Sequence, residues 1–152
     1  MSRVNILLLI VFFISGLCTP SRVSAQMAGA AYHVVVTNIS DFLDGSVVSF
    51  ENDSYVLSKN GNNSVAGIVN LTPGIEINDF PGQVTVPLVK SGFTLIRVST
   101  FKGNINPGDL LTLSDTPGVV VKAEVASEFI VGQAMASYES DQEGTILADI
   151  FI

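Results

Sequence analysis

The chain carries a single histidine, His33, in the run Ala-Ala-Tyr-His-Val-Val-Val. An imidazole serves as a general base only with a nucleophile and an orienting acid within hydrogen-bond reach. Nothing of that kind adjoins His33 in sequence, so it reads as a strand-end residue near solvent. Asn78-Asp79-Phe80 and Ser114-Asp115-Thr116-Pro117-Gly118 place hydroxyls or amides beside acids. Self-cleavage uses such groups next to a strained peptide bond, but any polar turn supplies them, and no residue is assigned a catalytic role. In the segment 139–144, Glu139, Asp141 and Glu143 take positions one, three and five ahead of Gly144, like the first half of a calcium loop. The bidentate glutamate that such a loop needs at position twelve is Ile150 here. A solvated acidic turn is the better reading, and no metal or other cofactor is expected.

Other binding chemistry is sparse. Asn38, Asn52, Asn62 and Asn70 each stand two residues before a Ser or Thr and fit the glycosylation acceptor pattern. Carbohydrate sites recruit exposed aromatics, and the chain has no tryptophan; Tyr32, Tyr55 and Tyr138 are scattered. No strand is followed by a Gly-rich phosphate loop and a helix.

Charge narrows the partners. Seven basic residues face fourteen acidic ones, for a net charge of −7. That balance argues against nucleic acid, whose phosphates need clustered Lys and Arg, and against anionic membranes. The N-terminus has the order of a secretory leader: Arg3, an apolar run from Ile6 to Leu17, then Val23-Ser24-Ala25 as a cleavage site. Twelve helical residues span only about 18 Å of a hydrocarbon core about 30 Å thick, which disfavours the alternative of a retained anchor. Leu17 before Cys18 disfavours a lipoprotein cut. Loss of residues 1–25 removes two arginines and no acid, leaving a net charge of −9. It also removes Cys18, the only cysteine. The remaining segment, 26–152, is read as one disulfide-free domain that stands on its apolar core.

The elements that would position these residues are strands. Val-, Ile-, Thr- and Phe-rich runs fall at 32–39, 46–50, 55–57, 65–69, 83–89, 93–99, 109–113, 119–125, 129–136 and 145–152, separated by Asp-Gly, Asn-Gly, Pro-Gly and Ser-Gly turns. The expectation is an all-β sandwich or barrel of about ten short strands. Pro87 predicts an edge strand or a bulge, with Val84 and Val86 on one face. Arg97 is placed on the solvent side, with a buried partner for one of the acids as the alternative. Ile146, Ala148, Ile150 and Ile152 share one face of the last strand and Leu147, Asp149 and Phe151 the other. Apolar residues on both faces predict a central strand, or one completed by another subunit.

The chain also echoes itself. Residues 44–59 overlay 107–123 at an offset of 63: Gly45 meets Gly108, Val47, Val48 and Phe50 meet Leu110, Leu111 and Leu113, and Val56, Leu57 and Lys59 meet Val119, Val120 and Lys122. With two further residues inserted, Gly67 meets Gly132. The repeats, about 44–70 and 107–134, read as a duplication or as two convergent hairpin units. Repetition points to scaffold, since one active site does not need its loop twice.

The motifs Pro107-Gly-Asp-Leu-Leu-Thr112, Thr116-Pro-Gly-Val119 and Gly144-Thr-Ile-Leu147 resemble the C-terminal β-domain of phage tail fibre, tailspike and bacterial surface proteins. That region is related to the intramolecular-chaperone autoprocessing family called peptidase G2. The resemblance covers about 44–152 and implies an extracellular module at the end of a fibrous, usually trimeric assembly. The expected function is a secreted or surface-displayed structural or adhesive module. A self-processing domain or small hydrolase is the alternative, and a carbohydrate-binding module a further one. A homo-oligomer is expected, with 32–39 and 145–152 pairing across subunits, or association with another surface or fibre protein. Membrane contact is expected only through an uncleaved leader.

Overall fold

The structure, a computed structural model, describes residues 30–62, 64–78, 80–124 and 129–152. The leader and Cys18 lie outside the described residues. So do Asp79 and Val125. The described chain is all-β, with eleven strands and one short 3-10 turn, Ile39–Asp41. Among the described residues no helix is long and apolar enough to cross a membrane.

Two units follow one another. The first holds β1 (Ala30–Val35), β2 (Val47–Glu51), β3 (Ser54–Leu57), β4 (Val65–Val69), β5 (Ile75–Ile77) and β6 (Thr85–Val89). The second holds β7 (Ser91–Val98), β8 (Leu110–Leu113), β9 (Val120–Lys122), β10 (Ile130–Ala134) and β11 (Gly144–Phe151). The first sheet runs β3-β2-β4-β6-β1-β5, and the second is a closed barrel, β10-β11-β7-β9-β8. The echo in the sequence is therefore larger than 44–70 and 107–134. Strand for strand, β3-β2-β4-β6-β1 corresponds to β9-β8-β10-β11-β7, and every one of these neighbouring pairs is antiparallel.

Equivalent turns make equivalent hydrogen bonds. The Gly45 N–H donates to Val69 O at 2.9 Å and the Gly108 N–H to Ala134 O at 2.8 Å. The return bonds, Val69 N–H to Ser46 O and Ala134 N–H to Asp109 O, are both 2.9 Å. Both glycines have left-handed backbone, φ +80° and +94°, which a side chain resists. Their surroundings differ in one respect: Gly45 is covered by the backbone of Ile96 and Arg97, whereas Gly108 meets only the Gln133 side chain.

The overlay needs one correction. In the hairpins Val48 pairs with Leu57 and Leu111 with Lys122. Leu57 thus corresponds to Lys122, and Tyr55 to Val120, two residues away from the sequence alignment. The two extra residues of the second copy belong to the β8–β9 turn, not to the segment after it.

Two cores result. One fills the barrel with Ile96, Val98, Leu111, Leu113, Val120, Val131, Ile146, Ala148 and Ile150, and takes in Val47 and Ile68 from the first unit. The other holds Val34, Val36, Phe42, Val48, Val69, Val86 and Leu88. Adjacent residues Val47 and Val48, or Ile68 and Val69, point to opposite cores because side chains alternate along a strand. The first unit is therefore buried on both faces along β2 and β4, which joins the two units into one body.

Pro87 is not on an edge strand, since β6 lies between β4 and β1. The ladder to β4 registers only Ile68 with Val89 and Val69 with Leu88, and the next contact is Asn70 N–H to Pro87 O at 3.0 Å. The missing proline N–H thus falls where that ladder ends. β5 was not foreseen: Ile75-Glu76-Ile77 is short, and all three residues are exposed.

Candidate functional site

The second unit closes because β7 runs parallel to β9. Val98 pairs with Val120, and the Ser99 N–H donates to Val120 O at 2.9 Å. In the first unit the corresponding residues are Val36 and Tyr55. They do not pair, because β5 has taken the same edge of β1, also parallel, at Ala30, Ala31 and Tyr32. The seam between the end of β1 and β3 stays open as a groove of about 340 Å³, lined by Thr37, Asn38, Asp41, Phe42 and β3 itself.

The main chain at this seam has a defined polarity. The Ser58 N–H donates to Val47 O at 2.8 Å, so Ser58 and, two residues back, Val56 turn their peptide groups toward β2. By the alternation of an antiparallel pair, Tyr55 and Leu57 turn theirs outward. Their side chains pack on the second core, and the Tyr55 ring lies 4.9 Å from Phe50, which is itself exposed. β3 is thus an open strand edge with an apolar flank, the kind of surface that pairs with another strand.

Of the two strands expected to pair across subunits, β11 has no such edge, since it lies between β10 and β7. β1 is covered by β5 only at Ala30, Ala31 and Tyr32, and its later residues border the open seam. β11 is central in the barrel, with Ile146, Ala148 and Ile150 buried and Leu147 and Phe151 exposed. Ile152 is partly exposed beyond the strand end, not buried with them.

Residues singled out for chemistry are separated. His33 Nδ1 lies 2.9 Å from Thr85 Oγ1, and Nε2 lies 3.5 Å from Glu76 Oε2. Hydroxyl, imidazole and carboxylate thus line up across β6, β1 and β5, a proximity no reading of the sequence could supply. The Nε2 atom is buried and has no hydrogen-bond partner, so Glu76 does not orient the ring as a catalytic acid would. Ser114 Oγ donates to Val119 O at 2.8 Å and accepts from the Thr116 N–H at 3.1 Å; its bonds hold the turn. Asn78, the residue after β5, has φ +61°.

Arg97 pairs with Glu143 at 2.7 Å, half-buried on the outer face of β7, so it both points outward and partners an acid. Among the described residues no three His, Cys, Asp or Glu side chains could jointly hold a metal ion, so Glu139, Asp141 and Glu143 do not converge. The Asn62 amide is occupied by Glu51 and the Lys59 N–H, and the Asn70 amide by Thr72 and Thr94. Tyr32 lies under Lys90 Nζ at 4.8 Å, and Tyr138 donates to Gln142 O, so the tyrosines form no platform. The aromatic that sequence reasoning overlooked is Phe101, 88% exposed, at the lip of a cleft of about 260 Å³ with Asn60, Lys102 and Asp115.

Set against known proteins, the chain matches no family model and no curated protein. Among solved structures it is similar to the head fiber gp8.5 N base of bacteriophage phi29, at 15% identity over 82% of this chain and 90% of that one. The TM-score is 0.39.

Proposed function

We propose that this protein is a surface-displayed structural or adhesive β module of an extracellular assembly. One observation carries the reading: the described chain folds into two interlocked strand units, and the first sheet ends in open strand edges at β3 and β5. An edge of this kind recognises another strand through its main chain. The leader-like N-terminus and the acidic charge suit export and solubility.

Fractionation of the source cells and intact-mass measurement of the purified protein test this. Export and a single stable species beginning at Gln26 are expected. Retention in the cytoplasm would overturn the reading, and two fragments abolished by one Ser, Thr or Asn substitution would establish self-processing instead.

Phe101 favours a second reading, a saccharide-binding module. A phenyl ring beside amide and carboxylate groups is suited to stacking on a sugar face while the polar groups fix its hydroxyls. A glycan array decides: binding lost in Phe101→Ala supports it, and silence across the array removes it.

A further inference from the structure

The open edge of β3 is self-complementary. Tyr55 and Leu57 each turn one N–H and one C=O outward, with Val56 between them. An antiparallel copy of β3 placed on this edge would set Tyr55 opposite Leu57 of the second copy, and Leu57 opposite its Tyr55. Both would be hydrogen-bonded pairs, giving four main-chain bonds about a two-fold axis through Val56. No other register pairs both residues.

The same register makes a prediction about charge. Beyond the strand ends it brings the segment that carries Lys59 near the β2–β3 turn of the second copy, where Asp53 has left-handed backbone at φ +60°, and the reverse. Both side chains are exposed at the ends of β3, and neither has an ion-pair partner within the chain among the described residues. The aromatic flank of Phe50 and Tyr55 would be covered from both sides.

We infer that β3 is the contact between two copies of this chain, a two-fold pair continuing the first sheet from one molecule into the next. The inference rests on the reading of the protein as an assembling module and names the surface that assembles. The sister unit supports it: at the corresponding position Val120 the outward peptide group is satisfied by a neighbouring strand. The first unit has the same backbone polarity and lacks that strand.

Light scattering on the full chain at micromolar concentration should give the dimer mass. Lys59→Glu sets like charges across the axis and should weaken the dimer about tenfold or more, while Lys59→Glu with Asp53→Lys should restore it. In a Cys18→Ser background, Val56→Cys should oxidise rapidly to a covalent dimer. Residues facing each other at such an axis have Cα atoms about 4.5 Å apart, within disulfide range. Circular dichroism checks that each variant keeps the β fold.

A monomer mass for the unaltered chain overturns the inference while leaving the export result standing. A dimer indifferent to Lys59→Glu and uncrosslinked through Val56→Cys also overturns it. Such a dimer would place the contact elsewhere, for instance on the exposed row of Leu95, Leu147 and Met135 on the barrel.

Discussion

Gly118, in the second unit, is wedged into the base of a hairpin of the first: its N–H donates to Ser58 O at 2.7 Å, and its carbonyl accepts from the Val47 N–H at 3.0 Å. Its φ is +79°, and a β-carbon there would stand 3.1 Å from Leu57 Cδ2 and 3.2 Å from Ser46 Cβ. Gly118→Ala therefore combines left-handed strain with crowding. A loss of about 2–4 kcal/mol is expected in urea unfolding. Gly61→Ala, at φ +91° but with open space around it, should lose only the conformational part.

Close approach to a neighbouring backbone is tested in the fourth strand of each unit, β4 and β10. A β-carbon on Gly132 would lie 2.4 Å from the Asp149 carbonyl oxygen, and one on Gly67 would lie 2.9 Å from the Val89 carbonyl oxygen. Both obstructions are backbone, which cannot swing aside. Alanine at either position should destabilise by about 1–3 kcal/mol or more, with Gly132→Ala the worse. The order of the two thermal midpoints checks this.

Ser49 and Ser58 are fully buried and hydrogen-bonded to each other. Removing one hydroxyl leaves the other without its partner, at a cost of about 1–3 kcal/mol. The double variant Ser49→Ala with Ser58→Ala removes both polar groups and should cost less than the sum of the singles. A double-mutant cycle in denaturant measures the coupling.

Tyr32 donates to Ala66 O and titrates late. Burial first, and then the neighbouring Tyr55, push its phenol up to about 12 from 10.0. A raised value in the folded state contributes stability that is complete below pH 10.0 and is lost as pH rises through about 12. Tyr32→Phe should flatten the decline in unfolding free energy over that window, and ultraviolet titration should show one tyrosine fewer in the late phase.

At the acid end the sign reverses. Asp109 is held below the ordinary carboxylate value, chiefly by its hydrogen bond from Lys122 at 2.8 Å and then by the Asn106 N–H. Its contribution is present above the unfolded value and is lost as pH falls through the folded one. Lys122→Met should move the Asp109 midpoint, read by NMR, back toward the ordinary value. The first unit has Ser46 and Leu57 at these two positions and should show no such titration.

Much of the architecture was legible because strand physics is local. Val-rich alternation and Gly-containing turns mark most of the strands, and the matching of Gly45 with Gly108 and Gly67 with Gly132 marks the repeat. β5 escaped notice because three residues carry too little periodicity. The slip at Leu57 arose because an alignment cannot tell whether two extra residues lengthen a turn or a loop; the hairpin pairing decides that. The meeting of His33 with Thr85 and Glu76 joins residues from three strands far apart in sequence, so no local signal announces it.

Composition and period-two patterning act residue by residue, and they already specify an acidic, strand-built, twofold-repeated chain. That one copy closes into a barrel and the other does not emerges from long-range strand pairing. Closure depends on which strand reaches a given edge first: β9 meets the end of β7, whereas β5 occupies the start of β1 and leaves β3 exposed. That competition for main-chain hydrogen bonds is between segments distant along the chain, and it sets which edges of the first sheet stay open.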